Sequence, residues 1–376
     1  MQDSNRSMNP RRIVVAPGFG RAYYHCISRV VDRRIVFHAA EKEVFRAILR
    51  KLERFLGVRV VTYCLMGNHF HLLLEVPDKE TMPKLDAETL LELLPLLYGD
   101  VVVEQVAKEL AAARSSGNSG WEQRILDRYE RRRFDLSVFL KELKQRVSVF
   151  YNRRNGRVGT LWEARFKSVL LEGGENTLRT VAAYIDLNPV RAGLATKPED
   201  YRWSGYGEAC GAGRGAEKAR AGLISITREG LENPADCTRT TGSAGAAATS
   251  DQADLPDWPE VQSRYRLLLY SDGREQKPDE VTGEGGRGGI AAEECDRVAE
   301  AGGVVPMAEA LRRKIRYFSD GAVIGSAQFV DGVFERLKAE GRTGPKRKSG
   351  ARRMRGAEFG ELRSLRDLRL DPDGRG

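Results

Sequence analysis

The chain has 376 residues, 62 Lys and Arg against 53 Asp and Glu, a formal net charge of +9, and 41% hydrophobic residues. That apolar content excludes a wholly disordered protein, and no stretch nears the roughly 18 consecutive apolar residues of a membrane-spanning helix. The 5 cysteines are scattered without a C-x-x-C pair, which argues against a disulfide framework or a cysteine-built zinc site and for a reducing, cytoplasmic setting. The positive balance favours a polyanionic partner.

Residues 1–12 are polar and do not read as a signal peptide. Ala22 to Arg29 reads as a strand. Glu41 to Phe55 carries Val44, Phe45, Ile48, Leu49, Leu52 and Phe55 at helical spacing, with Gly57 as a stop. Val58 to Met66 and His69 to Val76 are expected strands, and Gly67-Asn68 between them favours a hairpin. A helical stretch from Asp86 to about Tyr151 follows. Phe166 to Glu172 reads as a further strand, and Thr177 is expected to cap a helix ending at Pro189. These elements suggest an α+β protein with a mainly antiparallel sheet.

Beyond Cys210 the composition shifts to Gly, Ala, Ser and Thr. Residues 211–305 are expected to be a low-complexity linker region and 306–340 a small helical module, a helix-turn-helix or a packing unit. Residues 341–376 hold 11 Arg and Lys against 5 Asp and Glu and are expected to be a disordered basic tail. A second basic stretch, Trp121 to Leu170, has 13 Lys and Arg against 6 Asp and Glu. Within it Arg153, Arg154, Arg157, Arg165 and Lys167 are candidate phosphate contacts, and Trp162 is a candidate platform for unpaired bases.

The sharpest local pattern is Met66-Gly67-Asn68-His69-Phe70-His71-Leu72-Leu73-Leu74. Period-two geometry places His69 and His71 on one face and Phe70, Leu72 and Leu74 on the other. Two adjacent imidazoles suit one divalent ion, but the pair alone is equally compatible with surface histidines at a strand edge. In Thr180 to Gly193, Tyr184 and Asn188 stand at i and i+4, one turn apart on the same helix face. An Asn carbonyl can bind a hard cation. Equally, Tyr184 reads as core and Asn188 as a helix-ending residue. Tyr151 is a rival tyrosine, with Asn155 at i+4, although Gly156 marks a helix end there.

The ordered set of segments resembles a known family. It comprises Tyr24-His25 with Ser28-Arg29, the Tyr63 to Leu74 block, Tyr151-Asn152-Arg153-Arg154, Gly159 to Trp162 with Arg165-Phe166-Lys167, Tyr184 to Gly193, and Tyr201 to Tyr206. Together they resemble the single-tyrosine HUH transposases of the insertion-sequence-200-like family, in the REP-associated branch. The resemblance covers about residues 14–210 and implies a ferredoxin-like or RRM-like HUH endonuclease domain at 1–210. A helical insertion at about 78–135 departs from the family pattern.

The resemblance implies that His69 and His71 are metal ligands, that Tyr184 is the nucleophile, and that Asn188 supplies the third ligand. The cofactor would be Mg²⁺ or Mn²⁺, and the reaction cleavage and rejoining of single-stranded or hairpin DNA through a 5′-phosphotyrosine link. Such a transposase would act in DNA recombination, as a monomer or homodimer, in the bacterial cytoplasm at the nucleoid. Two other readings are a replication-initiator or relaxase-like nickase and a domesticated, non-catalytic DNA-binding repressor.

Overall fold

The computed structural model describes residues 13, 15, 20–227, 257–273, 316–343, 350–354 and 360–366. Strand β1 (Ala22–Arg29) leads into helix α1 (Ala39–Leu56), which buries Phe45, Leu49, Leu52 and Phe55. Gly57 closes α1 at φ 70°, and a Cβ there would strike the Phe134 ring, so both backbone and packing require glycine. Strands β2 (Arg59–Leu65) and β3 (His69–Val76) form the expected hairpin, with Met66 N–H donating to the His69 carbonyl at 2.9 Å. Strand β4 (Lys167–Leu171) pairs with the free edge of β1.

The order β2-β3-β1-β4, antiparallel throughout, is that of a βαββαβ ferredoxin-like sheet. The fold class is α+β. Between β3 and β4 lie α2 (Ala87–Leu93), α3 (Asp100–Ser115), α4 (Ser119–Glu130) and α5 (Leu136–Arg154). Their Leu90, Leu110, Ile125 and Phe139 join α1 in one core, and Phe70, Leu72 and Leu74 of β3 point into it. The helical insertion therefore thickens this face of the sheet and leaves the other to the histidines.

The opposite face is covered by α6 (Glu175–Asp186), α7 (Asn188–Arg191), α8 (Gly205–Cys210), α9 (Arg214–Ile224) and α10 (Trp258–Gly273). A second core forms there from Tyr23, Leu73, Val169, Val181, Ile185, Tyr206 and Leu269. Two local expectations are corrected. Thr177 lies inside α6, whose N-cap is Gly174. Pro189 does not end a helix but sits in the first turn of α7, where its missing N–H costs nothing.

Part of the expected linker is also corrected. The small residues of α9 belong to packing: Ala216, Ala219 and Gly222 are buried, and a Cβ at Gly222 would press on the Val61 carbonyl of β2. Gly and Ala content alone does not distinguish a flexible chain from a closely packed helix. The rest of 228–305, apart from α10, lies outside the described residues.

The C-terminal part adds α11 (Arg316–Asp320), β5 (Val323–Gly325), α12 (Ala327–Ala339), β6 (Arg352–Arg353) and β7 (Arg363–Ser364). Strand β5 pairs parallel with β4, and the sheet grows to seven strands in the order β2-β3-β1-β4-β5-β7-β6. A strand thus stands where a helix-turn-helix would need its turn, and 352–353 and 363–364 of the expected disordered tail are strands. Residues 344–349, 355–359 and 367–376 of that tail lie outside the described residues. No helix among the described residues is long and apolar enough to cross a membrane.

Asp186, fully buried at the end of α6, holds this layer together. It accepts from Thr62 Oγ1 at 2.9 Å, Tyr206 N–H at 3.0 Å and Tyr265 Oη at 2.7 Å. Burial pushes its carboxyl up to about 7 despite those donors. Asp186→Ala would leave buried donors unsatisfied, and an unfolding free energy lower by about 3 kcal/mol or more is expected. Urea denaturation reads this directly; a loss under about 1 kcal/mol would deny the cluster that role.

Candidate active site

His69 opens β3 at the hairpin. Its Nδ1 lies 2.7 Å from Asn68 Oδ1, which can only accept, so Nδ1 carries the proton and Nε2 keeps the lone pair. The Asn68 amide is oriented by donating from Nδ2 to the Arg33 carbonyl at 2.7 Å.

His71 follows on the same face and meets β1. The register pairs His71 with Ile27, which puts His25 one same-face step along β1. The His71 Nδ1 and His25 Nε2 atoms are 3.0 Å apart, with ring planes 22° from parallel. On its other side His25 Nδ1 lies 2.8 Å from the Phe318 carbonyl oxygen. Burial pushes His25 down to about 4. Burial also holds His71 well below the ordinary imidazole range, helped by His25, His69, Arg29 and Arg191.

Helix α6 brings Tyr184 in from the covering layer. Its ring centroid lies 6.1 Å from that of His71, 6.0 Å from His25 and 4.9 Å from Phe318. The Arg191 guanidinium carbon is 5.0 Å from the Tyr184 ring centre, and Arg191 Nη1 donates to the Tyr184 carbonyl at 2.9 Å. Tyr184 is only 3% exposed. Asn188 turns its Nδ2 back to the Tyr184 and Ile185 carbonyls at 2.9 and 3.2 Å, capping α6 and leaving Oδ1 as the amide's acceptor.

The structure thus gathers His69, His71 and Tyr184, while Asn188 stands just past the end of α6 and opens α7, a correction to the expectation of one continuous helix through both residues. Three residues without a role in the sequence reading join them: His25, Arg191 and Phe318. Among the described residues no group of three or more His, Cys, Asp or Glu is placed to hold a metal ion. A divalent ion here would therefore need His69, His71 and a non-acidic third donor such as Asn188. The donor chemistry fits one: the two imidazole centroids are 5.2 Å apart, burial disfavours the charged form of His71, and Asn188 Oδ1 is left as an acceptor by the turn of its Nδ2 to α6.

The expected phosphate contacts fare unequally. Arg153 and Arg165 are exposed and have no ion-pair or hydrogen-bond partner among the described residues. Arg154 pairs with Glu41 at 3.3 Å, Lys167 with Asp320 at 2.8 Å, and Arg157 lies over the Tyr151 ring. Trp162 is a correction. It is 6% exposed, packs against Phe37 and Phe70, and donates Nε1 to the Lys144 carbonyl at 3.0 Å. Phe166 is buried too. Neither offers a face to an unpaired base. Trp162→Ala is expected to lower stability by about 3–5 kcal/mol while single-strand affinity per folded molecule stays within about twofold; calorimetry and fluorescence anisotropy separate the two.

Residues 19–87 match the family described as "Transposase IS200 like". This segment is similar to the IS200-like transposases. The IS200-like segment spans β1, α1, β2 and β3, so it holds His25, His69 and His71 and ends before Tyr184 and Asn188. No curated protein matches the chain. Among solved structures, one described as a REP-associated tyrosine transposase bound to a REP hairpin is similar to this chain. Identity is 15%, the coverage is 54% of this chain and 85% of that one, and the TM-score is 0.34.

Proposed function

We propose that this protein is an IS200-like transposase, a metal-dependent single-strand DNA endonuclease and strand transferase with Tyr184 as its nucleophile. The observation that carries the reading is a meeting of parts. Tyr184, on a helix beyond the family-matched segment, is packed against the histidine face inside it.

Tyr184 Oη attacks the phosphorus of a phosphodiester. The Oη–P bond forms, the P–O3′ bond breaks, the phenol loses its proton and the 3′ oxygen ends as a hydroxyl. The resulting 5′-phosphotyrosine link can be reversed by a 3′-hydroxyl, which is strand transfer. A phenol of pKa about 10 is a weak nucleophile at neutral pH. Arg191 sets a cation over the Tyr184 ring, beside the attacking group. His69, His71 and Asn188 would hold Mg²⁺ or Mn²⁺, which when bound supplies charge neutralisation at the scissile phosphate. Arg153 and Arg165, both exposed, would hold backbone phosphates.

The ordered motifs from Tyr24 to Tyr206 point to the REP-associated branch, and so to hairpins from repeated palindromes as substrates. Tyr184 is buried and packs against Phe318, so the surroundings of its ring must open before a strand reaches it. That same burial favours a second reading, a DNA-binding protein without catalysis.

One experiment separates them. Full-length protein is mixed with labelled single-stranded hairpins and Mg²⁺ or Mn²⁺, denatured, and examined for a covalent adduct mapped by mass spectrometry. An adduct on Tyr184 is expected. Binding without any adduct across a hairpin library would leave only the non-catalytic reading.

A further inference from the structure

We propose that His25 is a positioning residue that fixes the tautomer of His71, and that the C-terminal segment locks it through the Phe318 carbonyl. A carbonyl oxygen only accepts, so the 2.8 Å contact requires a proton on His25 Nδ1. His25 is 0% exposed and has no carboxylate partner among the described residues, so the ring is neutral and carries one N–H only. Its Nε2 is then a lone-pair acceptor. The group facing that lone pair at 3.0 Å is His71 Nδ1, which must donate. His71, itself buried, is left with a bare Nε2. This is the less common tautomer of a neutral imidazole in water, held here by its neighbour.

His69 reaches the same state by a separate route, through Asn68 Oδ1. Both rings therefore carry Nδ1–H and keep the Nε2 lone pair, the form in which two adjacent imidazoles can share one cation. The relay runs Phe318 C=O, His25, His71, and its two ends are 293 and 46 residues from His25 in the chain. It also gives the C-terminal segment a defined task at the centre of the sheet. The consequence for metal affinity rests on the reading of His69 and His71 as ligands; the tautomer does not.

The full chain, labelled with ¹⁵N-histidine and free of metal, is the first probe. Only 4 histidines are present, so four rings are resolved and assigned by single substitution. His25, His69 and His71 are each expected to show a protonated Nδ1 and an unprotonated Nε2. A protonated His71 Nε2, or a doubly protonated ring on His25 or His71, overturns the proposal.

The second probe is substitution at His25. His25→Phe removes the acceptor and should move His71 to the Nε2–H form, weakening Mn²⁺ binding by about 10–100-fold. His25→Gln restores an acceptor towards His71 and a donor towards Phe318, and should recover both the tautomer and the affinity. Should His25→Phe fail to fold, the wild-type and Gln spectra still decide. An unchanged His71 tautomer in a folded His25→Phe protein also sinks the idea. Wild-type protein with the expected tautomers but no Mn²⁺ affinity would remove the metal reading and leave the relay standing.

Discussion

Tyr184→Phe is expected to abolish the covalent DNA adduct and lower strand cleavage by at least about 10³-fold, with hairpin affinity unchanged within about threefold. The contrast follows from what the substitution keeps. The Phe ring retains the packing against His25, His71 and Phe318 and the Arg191 guanidinium above it. Only Oη is lost, so the folded state should shift by about 1 kcal/mol or less. Tyr151 provides the control. It is partly buried against the other core, below Arg157, and the side-chain and main-chain N–H groups of Asn155 both cap its carbonyl. Tyr151→Phe should leave the adduct intact. An adduct that survives Tyr184→Phe and disappears with Tyr151→Phe would place the nucleophile on the wrong helix.

His69→Ala is expected to lower cleavage by at least about 10²-fold while DNA binding stays within a few-fold. His69 stands at the start of β3 and is only half buried, so its loss removes a donor without opening a core cavity. His71→Ala should be as damaging to cleavage and more damaging to stability. It removes a buried ring and leaves His25 Nε2 without a donor, which together cost about 2–4 kcal/mol. Binding survives in both because the exposed cations Arg153 and Arg165 lie on other elements. Cleavage rates at saturating Mg²⁺ or Mn²⁺, set beside anisotropy titrations, test this. Cleavage by His69→Ala at the wild-type rate would mean that the histidine pair holds no ion that the reaction uses.

Much of this site is legible locally. The period-two alternation of β3 separates His69 and His71 from Phe70, Leu72 and Leu74, and the structure keeps that separation between its two faces. The 3.6-residue spacing of α1 names its buried face, and Gly67-Asn68 turns the hairpin. Trp162 has no local signature of its burial, because a basic, aromatic stretch looks the same whether its rings face solvent or core. Only the approach of Phe37 and Phe70 shows that they face inward. The strands β5, β6 and β7 hold three, two and two residues, too short for any periodicity to register.

Sequence by itself determined the elements from β1 to β4, the histidine face, and two local surpluses within a net charge of +9. Each depends on geometry that repeats within one strand or helix, or on composition. Tertiary structure alone decided that the tyrosine helix packs on the histidine face, that His25 meets His71, and that Phe318 meets both His25 and Tyr184. Those contacts depend on strand order and layer packing. No residue spacing within an element encodes which distant segment arrives beside it.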